Sequence, residues 1–185
     1  NNVAINNSSS EDALNIVNSE IDLKNITVSD VSSDAVDMDF CTGQLKGLMV
    51  IRSAGDGLDI STTNLEAENL TFSSIQDKAI SVGEQSKAHL KNIDITNAEI
   101  GIASKDLSYT EVENISLKNI RKFPFMAYNK KPELGPGALI VKDYSYAGAK
   151  IIGVSQTGSM LSLNGDVINN SKLDINKLYN SVREK

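Results

Sequence analysis

Acidic side chains are unevenly placed in this sequence: Asp34, Asp37, Asp39, Asp56 and Asp59 crowd one short stretch, and Lys78 follows in Asp77-Lys78-Ala79. Two chemistries suit such a set. Carboxylates held opposite one another supply the general acid and the water-activating base of glycosidic bond cleavage. Carboxylates held side by side make an oxygen cage for Ca2+. Asp37, Asp56, Asp59 and Lys78 are therefore the catalytic candidates. Asp34, Asp37, Asp39, Asp56 and Asp59 are the candidate Ca2+ ligands, although nothing in the sequence requires a cofactor. Tyr128 and Lys130 join Asp34, Asp37, Asp59 and Lys78 as candidate ligand contacts. A structural role competes with all of these, because Asp side chains at turns bond to nearby backbone.

Whether these residues meet depends on the elements that carry them, and those elements repeat. Asp12-Ala-Leu-Asn-Ile16, Asp34-Ala-Val-Asp-Met38, Asp56-Gly-Leu-Asp-Ile60, Lys78-Ala-Ile-Ser-Val82 and Ile100-Gly-Ile-Ala-Ser104 align. Their small residues Ala13, Ala35, Gly57, Ala79 and Gly101 recur every 22 residues. A second ladder keeps the same phase through Asn25, Gly47, Asn69, Asn92 and Asn114, with steps of 22, 22, 23 and 22. Within each repeat apolar and polar residues alternate, as in Leu14/Ile16 and Leu58/Ile60, which reads as strand. Short strands returning at a fixed period, without helices between them, predict an all-β fold. The expected form is a right-handed single-stranded parallel β-helix of about 22 residues per coil, each coil about 4.8 Å from the next. Asn15, Asp37, Asp59, Ser81 and Ala103 then form one outward column, with Asp37 beside Asp59. Stacked like charges are unfavourable, so an offsetting cation is expected: Ca2+, Lys78 or Arg52.

Composition narrows the partners. The 185 residues carry a net charge of −6, with one Cys, one His and no Trp. That balance argues against nucleic acid, which needs clustered Lys and Arg. A lone Cys41 excludes a disulfide framework and a lone His89 excludes a multi-histidine zinc site. No apolar run reaches the roughly 18 residues needed for membrane insertion. His89 and Cys41 read as packing residues, while Tyr144 and Tyr146 alternate on a late strand. Asn25-Ile-Thr, Asn69-Leu-Thr and Asn114-Ile-Ser match the glycosylation sequon, yet their shared place in the repeat marks them as turn residues.

Residues 1–170 are expected to form coils. Val3-Ala-Ile5 is read as the end of an earlier coil, so the chain is expected to start mid-coil and to lack N-terminal coils or a domain of the same protein. Phe123–Tyr128 is a strand shifted by one, 129–137 an inserted loop, and Asn164-Gly165 a tight turn. Residues 171–185 are predicted to form a C-terminal capping helix, opened by Ser171 and running to about Val182.

Gly55-Asp-Gly-Leu-Asp-Ile-Ser61, Asp77-Lys-Ala-Ile-Ser-Val-Gly-Glu84 and Glu99-Ile-Gly-Ile-Ala-Ser-Lys-Asp106 resemble the pectin-lyase-like superfamily of right-handed parallel β-helix proteins. Ala127-Tyr-Asn-Lys-Lys-Pro-Glu133 resembles β-helix regions attached to spore-coat-kinase-like secreted bacterial proteins. The resemblance covers about residues 10–140 and implies an extracellular or cell-surface bacterial protein with a polysaccharide partner. Polygalacturonase-like members use an Asp, an Asp-Asp pair, a Gly-His-Gly turn and an Arg-x-Lys strand. Asp56-Gly-Leu-Asp59 matches the first element, but Lys78 replaces the second aspartate of the pair. His89 lies in Ala-His-Leu, and no Arg-x-Lys follows. The expectation is a non-catalytic or catalytically degenerate β-helix for structural display or carbohydrate binding. The alternative is a lyase, hydrolase or epimerase acting on an acidic glycan.

Overall fold

The computed structural model describes residues 2–148 and 151–175. Within them the chain forms fifteen strands: β1 (Val3–Asn6), β2 (Asp12–Val17), β3 (Glu20–Val31), β4 (Asp34–Asp39), β5 (Thr42–Ser53), β6 (Leu58–Ser61), β7 (Asn64–Gly83), β8 (Lys87–Lys105), β9 (Tyr109–Lys118), β10 (Phe123–Tyr128), β11 (Ala138–Ala147), β12 (Gly153–Gln156), β13 (Met160–Leu163), β14 (Asp166–Val167) and β15 (Asn170–Ser171). Every pairing is parallel except the β13–β14 hairpin, which turns at Asn164-Gly165 as its sequence requires. The result is a β-solenoid of about seven turns at the spacing of about 22 residues read from the sequence.

Each coil has three faces and three corners. Face 1 carries β2, β4, β6, the end of β7, the end of β8, β10 and β12. Face 2 begins with the register Glu20, Thr42, Asn64, Lys87 and Tyr109. Face 3 stacks Val3, Ile26, Leu48, Leu70, Ile93 and Ile115. Nearly every corner turns on one left-handed residue. Asn25, Asn69, Asn92 and Asn114 take φ of 55 to 61° between faces 2 and 3. Asn and Asp tolerate this region better than other side chains because their short polar groups bond locally.

The interior is a narrow stack. Val36, Met38, Leu58, Ile60, Ile80 and Val82 are all at most 1% exposed. Phe72 interrupts a column of aliphatic side chains, and Gly57 makes room for it: a Cβ there would stand 2.6 Å from the ring. At the corner between faces 1 and 2, polar atoms are satisfied coil to coil. The Cys41 N–H donates to Thr63 Oγ1 at 3.0 Å, and the Thr63 N–H donates to Ser86 Oγ at 3.0 Å. Cys41 thus fills a position that holds hydroxyls in the next coils, with its Sγ 3.3 Å from the Ile16 carbonyl.

Three end-of-chain expectations meet the structure differently. Phe123 pairs with Ile100 and Phe125 with Ile102, the expected one-residue shift, and residues 129–137 form the loop between β10 and β11. Ser171 does not open a helix; it pairs with Gln156 in β15, so the backbone there is extended rather than capped. The remainder of the predicted capping helix, from 176 onward, lies outside the described residues.

Candidate functional site

The outer surface of face 1 gathers the sequence candidates. The register Asn15–Asp37–Asp59–Ser81–Ala103 is as read from the repeat. A parallel column runs Asp12–Asp34, continued by backbone bonds to Asp56 and Lys78. Asp34, Asp56 and Asp59 bring carboxylate oxygens within 4.8 Å of one another. Tyr128 pairs with Lys105 one coil further along the same face. Lys130 enters from the inserted loop, where its backbone N–H donates to Asp106 Oδ1 at 2.6 Å.

Most of these groups are occupied by neighbouring coils. Asp34 Oδ1 accepts the Asp56 N–H at 2.6 Å, and Asp56 Oδ1 accepts the Lys78 N–H at 2.9 Å. Asp residues therefore staple three successive coils through their backbone, the turn role set against catalysis above. Lys78 offsets the turn aspartates rather than the Asp37–Asp59 stack: its Nζ lies 3.0 Å from Asp56 and 2.6 Å from Asp77. Arg52 does not; it grips Asp30 through two contacts of 2.5 and 2.7 Å at another corner.

Burial sets the electrostatics. Asp56 and Lys78 are only 5% and 3% exposed. Burial pushes the Asp56 carboxyl upward, Lys78 holds it down, and Asp77 and Asp59 push it up again. Asp37 is pushed up to about 7, first by burial and then by the carboxylates of Asp39, Asp59, Asp12 and Asp34. Asp34 and Asp39 are raised for the same first reason. Lys130 is lowered by burial and then by Lys105 and Lys78, so three lysines share this surface with the aspartates.

Sequence reasoning missed Lys105 and Asp106. Lys105 Nζ donates to Ser81 Oγ at 2.7 Å and lies 3.6 Å from Asp59. Fully buried Asp106 accepts the backbone N–H groups of both Lys130 and Lys131 on one oxygen, which pins the inserted loop to the solenoid. Lys131 extends that anchor through an ion pair with Glu84. The available signal was the offset of 24 residues between Ser81 and Lys105, a diagonal that a strict 22-residue alignment hides. Tyr128, a candidate contact, is fully buried. It sits with Ile100, Ala103 and Met126 in a second apolar cluster, against which Phe123, Val154 and Ile175 pack.

The asparagine corner is likewise occupied. Asn25 Nδ2 donates to Asn2, Asn92 to Asn69 and Asn114 to Asn92, at 2.9 to 3.2 Å. The run breaks at Gly47. A parallel run joins Asn119 to Asn97 at 3.0 Å.

Fold and site together define a repeat protein of the parallel β-solenoid class. No protein-family model matches the chain, and no curated protein matches it.

Proposed function

We propose that this chain is a non-catalytic surface solenoid, a β-helix domain of a larger secreted bacterial protein that displays its faces to carbohydrate or to neighbouring domains. One observation carries this reading: the central carboxylates already serve the fold. Asp34 and Asp56 hold backbone N–H groups of the next coil, and Asp56 holds Lys78 as well. A glycosidase needs two carboxyl groups free to face a sugar between them, whereas Asp34 and Asp56 each commit an oxygen to the backbone of the next coil. No cofactor is required in this reading, because Lys78 and Lys105 bring the positive charge that Ca2+ would bring. The coils wind right-handed, as parallel crossovers do in about 98% of cases. The likeness to pectin-lyase-like and spore-coat-kinase-attached β-helices supports the surface location.

A second reading, an enzyme acting on an acidic glycan, is favoured by one feature. Asp37 carries a carboxyl raised to about 7, near the value useful to a general acid at neutral pH. Incubation with polygalacturonate and alginate, with and without Ca2+, separates the two. Display expects neither new reducing ends nor unsaturated uronates. Turnover that Asp59→Asn or Asp37→Asn abolishes would establish the enzyme instead.

A further inference from the structure

Face 2 carries a shallow trough of about 610 Å³, away from the aspartate–lysine surface. Two outward columns line it. Thr42, Asn64, Lys87 and Tyr109 form one, and Gln44, Glu66, His89 and Glu111 the other. A second hollow of about 160 Å³ continues it past Lys46 and Lys91, sharing Gln44, Glu66 and His89. Each column advances one strand spacing per coil, about 4.8 Å. An extended sugar chain advances a similar distance per ring, so successive rings meet successive coils.

We propose that this trough binds a neutral, extended polysaccharide lying along the solenoid axis. The chemistry of the lining argues for that occupant. Thr42, Gln44 and Asn64 present hydroxyl and amide groups that both donate and accept, and Glu66 and Glu111 accept from vicinal hydroxyls. Tyr109 is 40% exposed, and its hydroxyl is tied to Glu111 Oε1 at 2.8 Å, so its ring is held at one end of the trough as a stacking surface. His89 stands between two carboxylates, its Nδ1 3.9 Å from Glu66 and its Nε2 3.5 Å from Glu113, so its ring is held in place along the trough. The flanking charges cancel in pairs, Lys46 with Glu68 and Lys91 with Glu113. Inside, Glu66 and Glu111 outnumber Lys87, so the trough offers no cationic surplus to a uronate polymer.

The inference goes beyond the display reading and rests on it only in expecting no turnover. Affinity electrophoresis of the whole chain in gels containing hydroxyethyl cellulose, mixed-linkage β-glucan or polygalacturonate tests it. Retardation is expected in one of the neutral gels and not in polygalacturonate. Tyr109→Ala should weaken binding about tenfold, Tyr109→Phe should keep most of it, and Asn64→Arg should block it by filling the trough. Both altered side chains are exposed, and unchanged melting curves establish that the variants fold. Retardation by polygalacturonate alone overturns the proposal, as does loss of binding in Asp59→Asn but not in Tyr109→Ala. The latter would move the carbohydrate site to face 1 and leave the display reading standing. No retardation in any gel overturns the trough proposal alone, since display is judged separately by the turnover assay.

Discussion

Replacing Asp37 with Asn should stabilise the protein at alkaline pH and do nothing at acid pH. Asp37 stands in a column with Asp59, near Asp39, Asp12 and Asp34, and its carboxyl is raised from 3.8 to about 7 by burial and then by those neighbours. Below about pH 4 the group is protonated in folded and unfolded chains alike, and it costs nothing. Between about pH 4 and 7 the unfolded chain releases the proton that the folded chain keeps, so stability falls as pH rises. Above about pH 7 the folded chain carries the full penalty. Unscreened, the displacement corresponds to about 4 kcal/mol, at about 1.4 kcal/mol per pH unit. Asp37 is only partly buried, and solvent screening reduces this to about 1–2 kcal/mol. For a chain of this size that is about 3–6 °C in melting temperature. Thermal unfolding followed by circular dichroism at pH 4.5 and pH 8, in chelator and 150 mM salt, reads the effect. An equal loss of stability at both pH values would refute the reasoning. So would a large rise in wild-type melting temperature with Ca2+ that Asp37→Asn removes, because a bound cation would then have been neutralising the column.

Three other outcomes follow from the same geometry. Gly47 has φ of 81° and leaves the asparagine run one amide short, so Gly47→Asn should gain about 1 kcal/mol by bonding to Asn25 and Asn69; Gly47→Ala should lose stability, and denaturant titration compares them. Lys78→Met leaves Asp56 and Asp77 without their shared cation and should cost about 3–5 kcal/mol. Adding Asp56→Asn should recover part of that loss in a double-mutant cycle. Asp106→Ala frees the N–H groups of Lys130 and Lys131 and should cost about 1–3 kcal/mol, with limited proteolysis shifting to the 129–137 loop.

The repeat made the fold legible because solenoid contacts are local in the coil index: residue i meets its counterpart about 22 residues on. That is why the Asp37–Asp59 neighbourhood, the shifted strand at Phe123 and the turn at Asn164-Gly165 could be placed from sequence. What could not be placed depends on contacts that leave the period. Lys105 reaches Ser81 diagonally. Asp106 depends on how the inserted loop folds back, and the burial of Tyr128 depends on residues packing on the outside of the face. Ser171 is preceded by polar residues that suit a cap, yet the partner strand β12 claims it for pairing. The helix expected to open at Ser171 is replaced there by strand pairing, which prevails over a local capping preference.

The corners have a consequence for how such a chain tolerates change in length. In most sheets a slip of one residue sends every following side chain to the wrong face. Here the step between Thr63 and Ser86 contains one residue more than the step between Asp59 and Ser81, and both strands keep their phase. The surplus is housed at Glu84 and Gln85, which both turn with positive φ. Each corner therefore works as an expansion joint, containing an insertion before it reaches the next face. The 129–137 loop is the same tolerance taken further, entered and left at the corner between faces 1 and 2 without disturbing Ala138 against Tyr109. New segments grafted into a solenoid of this kind belong at that corner.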